Sequence, residues 1–378
     1  MKTSKTAKLI LKDGSIYEGR SFGAPKPISG EVVFATGMVG YPEALTDPSF
    51  RGQILILTSP LVGNYGVPKK EFWESGKIQV SGLIVCNYID TPSHYSSTMT
   101  LSKWLKDEGI PALELENTRE LTQKLRTEGA MLGKIEFKAG KDKNISFEDP
   151  NLRNLVSEVS TKKIEKFGEG KHTIVVLDCG VKQNIVRRLV ARGFEVALAP
   201  WDTDVTKLEF PFSAVVISNG PGDPTKAEAT IKNVKKILAK KIPTLGICLG
   251  NQILALATGG STYKMKYGHR SQNQPCVEND TERCYLTTQN HGFSVKKIPN
   301  GFREWFYNAN DRTNEGIIHK SLPFMSVQFH PESSPGPLDT DWIFDYFLEK
   351  AGIHLSPTPL LIKERGALSF SKGGMRSN

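Results

Sequence analysis

Cysteine is scarce in this 378-residue chain: Cys86, Cys179, Cys248, Cys276 and Cys284 form an odd set with no C-x-x-C pair. A disulfide framework is excluded, no zinc-ligand spacing is offered, and a reducing compartment, the cytoplasm, is the expected setting. Long apolar runs are missing too. Stretches such as Ala214 to Ile217 and Ile253 to Ala257 fall far short of the roughly 18 residues a membrane-spanning helix needs, so none is expected. The basic start, Met1 to Lys8, runs straight into Leu9-Ile-Leu-Lys-Asp-Gly14, which reads as a strand and a turn and lacks the apolar block of an export signal. Repeats and low-complexity tracts are absent.

The charge excess, 49 Lys and Arg against 40 Asp and Glu, has no basic stripe interleaved with aromatics. Residues 1–170 carry 23 basic and 21 acidic groups, residues 171–352 carry 22 and 18, and residues 353–378 carry 4 and 1. The two long segments are nearly balanced, so neither nucleic acid nor a membrane surface is an expected partner. What is present is ordinary globular composition, 38% hydrophobic and 24% charged. At roughly 150 residues per domain the length allows two domains.

The first, residues 1–150, reads as a β-rich α+β domain. Short strands are predicted at Lys8 to Leu11, Ile16-Tyr17, Glu31 to Phe34 and Ile54 to Thr58, with helices at Leu101 to Glu108 and Arg119 to Glu128, the second capped by Thr118. Between them Thr36 to Ser49 is a long Gly- and Pro-punctuated loop, and irregular loops of that length usually serve a function. Residues 138–170 lose apolar periodicity and collect Lys, Glu, Asn and Gly, so 151–170 is read as a linker. From 171 to 352 apolar strands alternate with helices: strands Thr173 to Asp178, Glu195 to Ala199, Ala214 to Ser218 and Thr244 to Cys248, helices Gln183 to Arg192, Lys226 to Lys240 and Gln252 to Thr258. That order predicts an α/β domain with a central, mostly parallel sheet flanked by helices.

The chemistry concentrates in Gly246-Ile-Cys-Leu-Gly250. An apolar strand ends on a cysteine between glycines that permit a sharp turn into a helix, the geometry of a nucleophile elbow. The positive end of that helix favours negative charge on the sulfur, and the Leu249 N–H points where a tetrahedral oxyanion would form. A lone cysteine in an apolar run reads as core; at a Gly-x-Cys-x-Gly junction Cys248 reads as a nucleophile. Its base is expected in Gln328-Phe-His-Pro-Glu332, because residues two apart on an extended chain share a side, so Glu332 can orient the His330 imidazole. His-Pro-Glu alone is equally a helix start. Ser218-Asn-Gly-Pro-Gly-Asp-Pro224 follows another strand, and Gly220 there could supply a second oxyanion donor or simply form a turn. Gln289-Asn-His-Gly292 is open in the same way.

Taken together, these four motifs resemble a triad-type glutamine amidotransferase. Gly30-Glu-Val-Val-Phe34 and Thr36 to Ser49 narrow the resemblance to the glutaminase part of carbamoyl-phosphate synthetase, and Tyr263-Lys-Met265 with Asn273-Gln-Pro-Cys276 to its eukaryotic, pyrimidine-pathway form. The similarity runs from about residue 8 to about residue 350. It implies hydrolysis of L-glutamine to glutamate and ammonia, with ammonia channelled to a large synthetase subunit or domain that uses ATP, Mg and bicarbonate to make carbamoyl phosphate for pyrimidine or arginine biosynthesis. This chain would then hold no cofactor or metal. It further implies a catalytic triad of Cys248, His330 and Glu332, an oxyanion hole of Gly220 and Leu249, and glutamine contacts from Ser49, Gly220, Gly222, Leu249, Gln252, Asn290, Gly292 and Phe293. The basic tail 353–378 would be a linker or docking segment toward the synthetase. Two departures stand out: Asn251 replaces the usual His after Cys-Leu-Gly, and Gly268-His-Arg-Ser-Gln272 replaces the usual Gly-Asn-Arg-Gly. A binding module without turnover and a thiol peptidase on the same scaffold are the competing classes.

Overall fold

The computed structural model describes residues 6–137 and 145–353. In the first domain, strands β1 (Thr6–Leu11), β2 (Ile16–Ser21), β3 (Ile28–Ala35), β4 (Gln53–Leu57), β5 (Gly82–Val85), β6 (Ala112–Glu114) and β7 (Met131–Phe137) close into a barrel in the order β1-β2-β6-β5-β4-β3-β7. Closure removes the unpaired edges that an open sheet exposes. Period-two alternation divides the apolar residues. Val32, Ile54, Ile56, Ile84, Leu113 and Ile135 join one cluster with Leu121 and Leu125 of the helix Thr118–Glu128. Val33, Leu55, Leu57, Leu83 and Val85 join the other, under Trp104 and Leu105 of the helix Leu101–Asp107. Thr118 is the first helical residue rather than the cap; the Asn117 side chain caps that helix by accepting from the Glu120 N–H.

The second domain carries a ten-stranded sheet: β8 (Glu165–Phe167), β9 (Thr173–Asp178), β10 (Glu195–Pro200), β11 (Ala214–Ile217), β12 (Thr244–Ile247), β13 (Ser261–Glu278), β14 (Cys284–Lys297), β15 (Phe302–Asn308), β16 (Asn314–His319) and β17 (Phe324–Val327), ordered β14-β13-β15-β16-β17-β12-β11-β9-β10-β8. From β17 to β10 the strands are parallel. They are buried on both faces, which is why they read as unbroken apolar runs. Ile174, Val176, Val196 and Val216 face the helices Gln183–Ala191 and Trp342–Lys350, while Val175, Leu177, Val215 and Ile217 face Glu228–Ala239 and Leu249–Ala257. An antiparallel wing, β13 to β16, extends the sheet and was not resolved by the sequence reading.

Two segments carry more structure than the sequence reading gave them. Within 151–170, read as a linker, β8 pairs antiparallel with β10 as an edge strand, and Thr161 N–H donates to the Asp178 carboxylate at 2.7 Å. Its polar composition reflects an edge, where one side of the strand meets water. The loop 36–49 is also more ordered than expected, containing a short helix, Tyr41–Thr46, and a single 3-10 turn, Pro48–Phe50. The tail expected at 353–378 lies, beyond Ile353, outside the described residues.

Candidate active site

The parallel strands β9, β11, β12 and β17 end on the same side of the sheet, the usual place for a site in an open α/β sheet. Cys248 lies between β12 and the helix Leu249–Ala257 at φ 55°, ψ −101°, a conformation few non-glycine residues adopt. The flanking glycine makes the turn possible: a Cβ on Gly250 would sit 2.2 Å from the Ile217 carbonyl oxygen, so no other residue lets the helix approach β11 so closely. The helix begins at Leu249, three residues earlier than its apolar spacing suggested, which puts Cys248 at its N-terminus. Leu249 N–H, at the first helical position, has no acceptor within the helix.

His330 and Glu332 follow β17. The His330 N–H donates to the Thr288 carbonyl at 2.9 Å, fixing the backbone, and Nδ1 lies 2.7 Å from Glu332 Oε1. The other nitrogen, Nε2, is buried and makes no well-formed hydrogen bond, while the sulfur of Cys248 is near enough to act on it electrostatically. A poised contact of this kind is common before substrate binds. Burial pushes the imidazole toward neutrality, but the charges of Glu332 and Cys248 outweigh it and raise His330 to about 10. Burial likewise opposes charge on Glu332, and there Lys182 and His330 win, lowering it to about 2. The arrangement is a buried imidazolium beside a buried carboxylate.

Lys182, which sequence reasoning missed, completes this pair. Its Nζ lies 3.0 Å from Glu332 Oε1, both groups are buried, and it also donates to the Ser333 carbonyl. Burial lowers its affinity for a proton, yet Glu332, Glu74 and Asp47 hold it above the ordinary range. Lys182 and Asn184, whose amide donates to the Glu332 carbonyl, follow β9 just as the other site residues follow their strands. Their position at a strand end was the available signal. The thiol itself has polar neighbours: Gln328 Nε2 lies 3.6 Å from Sγ, and Sγ lies 3.7 Å from the Asn290 carbonyl. Asn251, the departure beside the elbow, is fully buried, accepts from Ser326 Oγ at 2.8 Å and donates to Gln328 Oε1 at 3.1 Å. It therefore supports the side chain next to the sulfur without lining the cleft.

A cleft of about 490 Å³ opens on Cys248. Ser49, Gly220, Gly222, Leu249, Gln252, Asn290, Gly292 and Phe293 all line it, together with Glu31, Gln53, Lys264 and Tyr267, which the motifs had not indicated. A Cβ on Gly220 would meet the Cys179 carbonyl oxygen at 2.0 Å, so glycine is needed for that backbone to sit against the cleft. The first domain supplies the wall at Ser49. Asp47 accepts from the Ser49 N–H at 2.9 Å and from Asn290 Nδ2 at 2.8 Å, and Asn219 Nδ2 donates to Ser49 Oγ at 2.9 Å. Loop 36–49 is thereby stitched to the strand ends of the second domain. His330 itself lines a second cavity of about 650 Å³, which is lined from both domains and shares Arg270 and Asn290 with the cleft.

A cysteine elbow opening on a cleft at the end of a parallel sheet, with a buried His-Glu pair beside it, is a triad-type arrangement, and residues 175–350 match the family of class-I glutamine amidotransferases. Residues 9–135 match the carbamoyl-phosphate synthase small chain, CPSase domain. The chain is 43% identical to the carbamoyl phosphate synthase arginine-specific small chain of Neurospora crassa, covering 94% of this chain and 82% of that one. It thus belongs to the carbamoyl-phosphate synthase small chain family. It is also 50% identical to multifunctional protein CAD of Squalus acanthias and 45% identical to the mitochondrial carbamoyl-phosphate synthase (ammonia) of Mus musculus, but spans only 16% and 25% of their lengths.

Proposed function

We propose that this chain is the glutaminase component of a glutamine-hydrolysing carbamoyl-phosphate synthetase. The observation that carries the reading is Cys248 opening on a cleft walled by both domains, with the buried His330–Glu332 pair close enough to its sulfur to act on it. Cys248 sulfur attacks the side-chain amide carbon of L-glutamine. Gly220 and Leu249 N–H groups hold the resulting oxyanion, and imidazolium His330 gives its Nε2 proton to the departing nitrogen, so ammonia leaves and a thioester remains. His330, now neutral, takes a proton from water as it attacks the thioester. The C–S bond breaks, glutamate forms and Cys248 is regenerated. Glu332 keeps the imidazole oriented through Nδ1, and Lys182 keeps Glu332 charged.

Glutamine is held by Ser49, Gly220, Gly222, Leu249, Gln252, Asn290, Gly292 and Phe293. Ammonia passes to a synthetase subunit or domain that uses ATP, Mg and bicarbonate; no cofactor or metal is needed for the chemistry of this chain. The second cavity supports the channelling part of the reading, because it is lined by His330, the residue that protonates the departing nitrogen, and by residues of both domains. No helix among the described residues is long and apolar enough to cross a membrane, and five free cysteines, three of them buried, support a cytoplasmic setting. The test is glutamate release from free glutamine by the chain together with its synthetase, before and after Cys248→Ser. Loss of at least about 10³-fold is expected. An equal rate in both proteins, or release from peptides but not from free glutamine, would sink the reading.

A further inference from the structure

His269, on β13, marks the second departure from the family motif, and its surroundings are unusual for a buried imidazole. Nδ1 lies 2.9 Å from Gln289 Oε1 and 3.3 Å from Glu315 Oε1, and Nε2 lies 2.9 Å from Asp311 Oδ2. The orientation of the Gln289 amide is fixed at its other end, where Nε2 donates to Glu315 Oε2 at 3.0 Å, so Oε1 can only be an acceptor. The Asn308 amide, 3.5 Å from Nδ1, has acceptors for both of its protons in Gln274 Oε1 at 3.1 Å and Glu315 Oε1 at 3.5 Å. Both nitrogens of His269 therefore face acceptors, and a ring satisfies two acceptors only when it carries two protons.

The network continues into the cleft. Gln289 Oε1 also lies 3.1 Å from His291 Nε2, and the two imidazoles meet edge to face with centroids 5.1 Å apart. His291 Nδ1 lies 2.8 Å from the Phe293 carbonyl, which also accepts from Gln252 Nε2 at 2.8 Å. Gln252 in turn donates to Gln328, the side chain beside Cys248. A series of contacts, hydrogen bonds at either end and the packing of the two imidazoles between them, thus runs from Asp311, whose side chain is 40% exposed, toward the nucleophile. We propose that His269 is a cationic positioning residue for the cleft: doubly protonated, it ties Asp311 to Gln289 and so holds the strand segment 289–293 that forms one wall of the glutamine site.

The groups facing His269 are Asp311 after β15, Glu315 on β16 and His291 on β14, and cationic Arg270 adjoins it in sequence. Burial disfavours charge on His269, but Glu315 and Asp311 outweigh burial and hold it above the ordinary imidazole range. Burial first, and the neighbouring His269 charge second, push His291 well below that range. The pair therefore carries one charge: the single His291 proton is on the shorter contact, Nδ1 to Phe293, Nε2 makes no hydrogen bond to Gln289 Oε1, and Glu315 Oε1 lies 4.0 Å from it, beyond hydrogen-bonding distance, whereas Asp311 is within that distance of His269. His269, His291 and Glu315 are near enough to suggest a metal site, but their donor atoms are already committed to this network.

The role rests on the glutaminase reading for its kinetic consequence and on neither substrate nor turnover for its proton. In nitrogen spectra of the full chain with labelled histidine, at neutral pH without glutamine, one imidazolium signal should vanish in His269→Asn; a neutral His269 overturns the proposal whatever the chain hydrolyses. With glutamine, the KM of the unaltered protein should rise about tenfold as pH passes upward through the His269 titration. His269→Asn, which restores the amide usual at this position, should give a KM independent of that step with kcat changed less than about threefold. Asp311→Asn, at the partly exposed end, should move the KM rise to lower pH. Superimposable KM profiles for the unaltered and His269→Asn proteins would refute the positioning role.

Discussion

Replacing Glu74 by glutamine tests whether a single carboxylate from the barrel domain anchors the active-site segment of the other domain. Glu74 is fully buried. Its Oε1 accepts from Ser334 Oγ at 2.7 Å and from Arg187 Nη1 at 3.1 Å, and its Oε2 accepts from the Asn184 N–H at 3.0 Å. All three donors belong to the second domain, and Ser334 lies two residues beyond Glu332. A glutamine of the same shape must turn its NH₂ toward one of these donors, so at least one charge-assisted hydrogen bond becomes a donor-donor clash. Each such bond contributes about 1.5–3 kcal/mol, and leaving Arg187 unpaired adds less because its side chain is 38% exposed. A net loss of about 3 kcal/mol follows, and for domains of this size it lowers the Tm by about 6–12 °C. Circular dichroism melts of the full chain would measure the change, and glutamine turnover should fall as residues 332–334 lose their anchor. A Tm within about 1 °C of the unaltered protein, with turnover intact, would refute the reasoning.

Hydrolysis should fall as pH rises through about 10, where His330 loses the proton the departing nitrogen needs, and a kcat/KM still climbing beyond that point would contradict the assignment. The same shift stabilises the fold in full below the ordinary imidazole value of 6.5 and is lost as pH rises through about 10; the Glu332 contribution is present above 4.5 and is lost as pH falls toward about 2. Lys182→Met takes a buried counter-charge away from Glu332. A destabilisation of about 3–5 kcal/mol is expected in denaturant melts, and an unchanged midpoint would show that Lys182 is dispensable. Gly250→Ala forces a Cβ to within 2.2 Å of the Ile217 carbonyl, so the helix start carrying Leu249 N–H must shift. The expected cost is about 1–3 kcal/mol with loss of turnover, and normal turnover would count against the oxyanion role.

The sequence by itself determined what local chemistry encodes. Apolar runs alternating with amphipathic stretches gave the parallel core from β9 to β12 to within a few residues, and Gly-x-Cys-x-Gly marked the elbow, because both signals depend only on neighbours along the chain. The two-residue spacing of His330 and Glu332 likewise predicted their contact. Tertiary structure alone decided the rest. Lys182 and Glu332 are 150 positions apart, and Glu74 and Ser334 are 260 apart. No local pattern distinguishes a buried Lys182 or Glu74 from a solvated one; burial, and with it the strength of the charge, follows from how the strand ends and the barrel pack. Barrel closure escaped the sequence for the same reason, since β1 meets β7 across more than a hundred residues. His269 shows the division most clearly. Its identity was visible as a departure from a motif, but only the folding of β13, β14 and β16 against the loop carrying Asp311 surrounds it with acceptors and turns that residue into a charge.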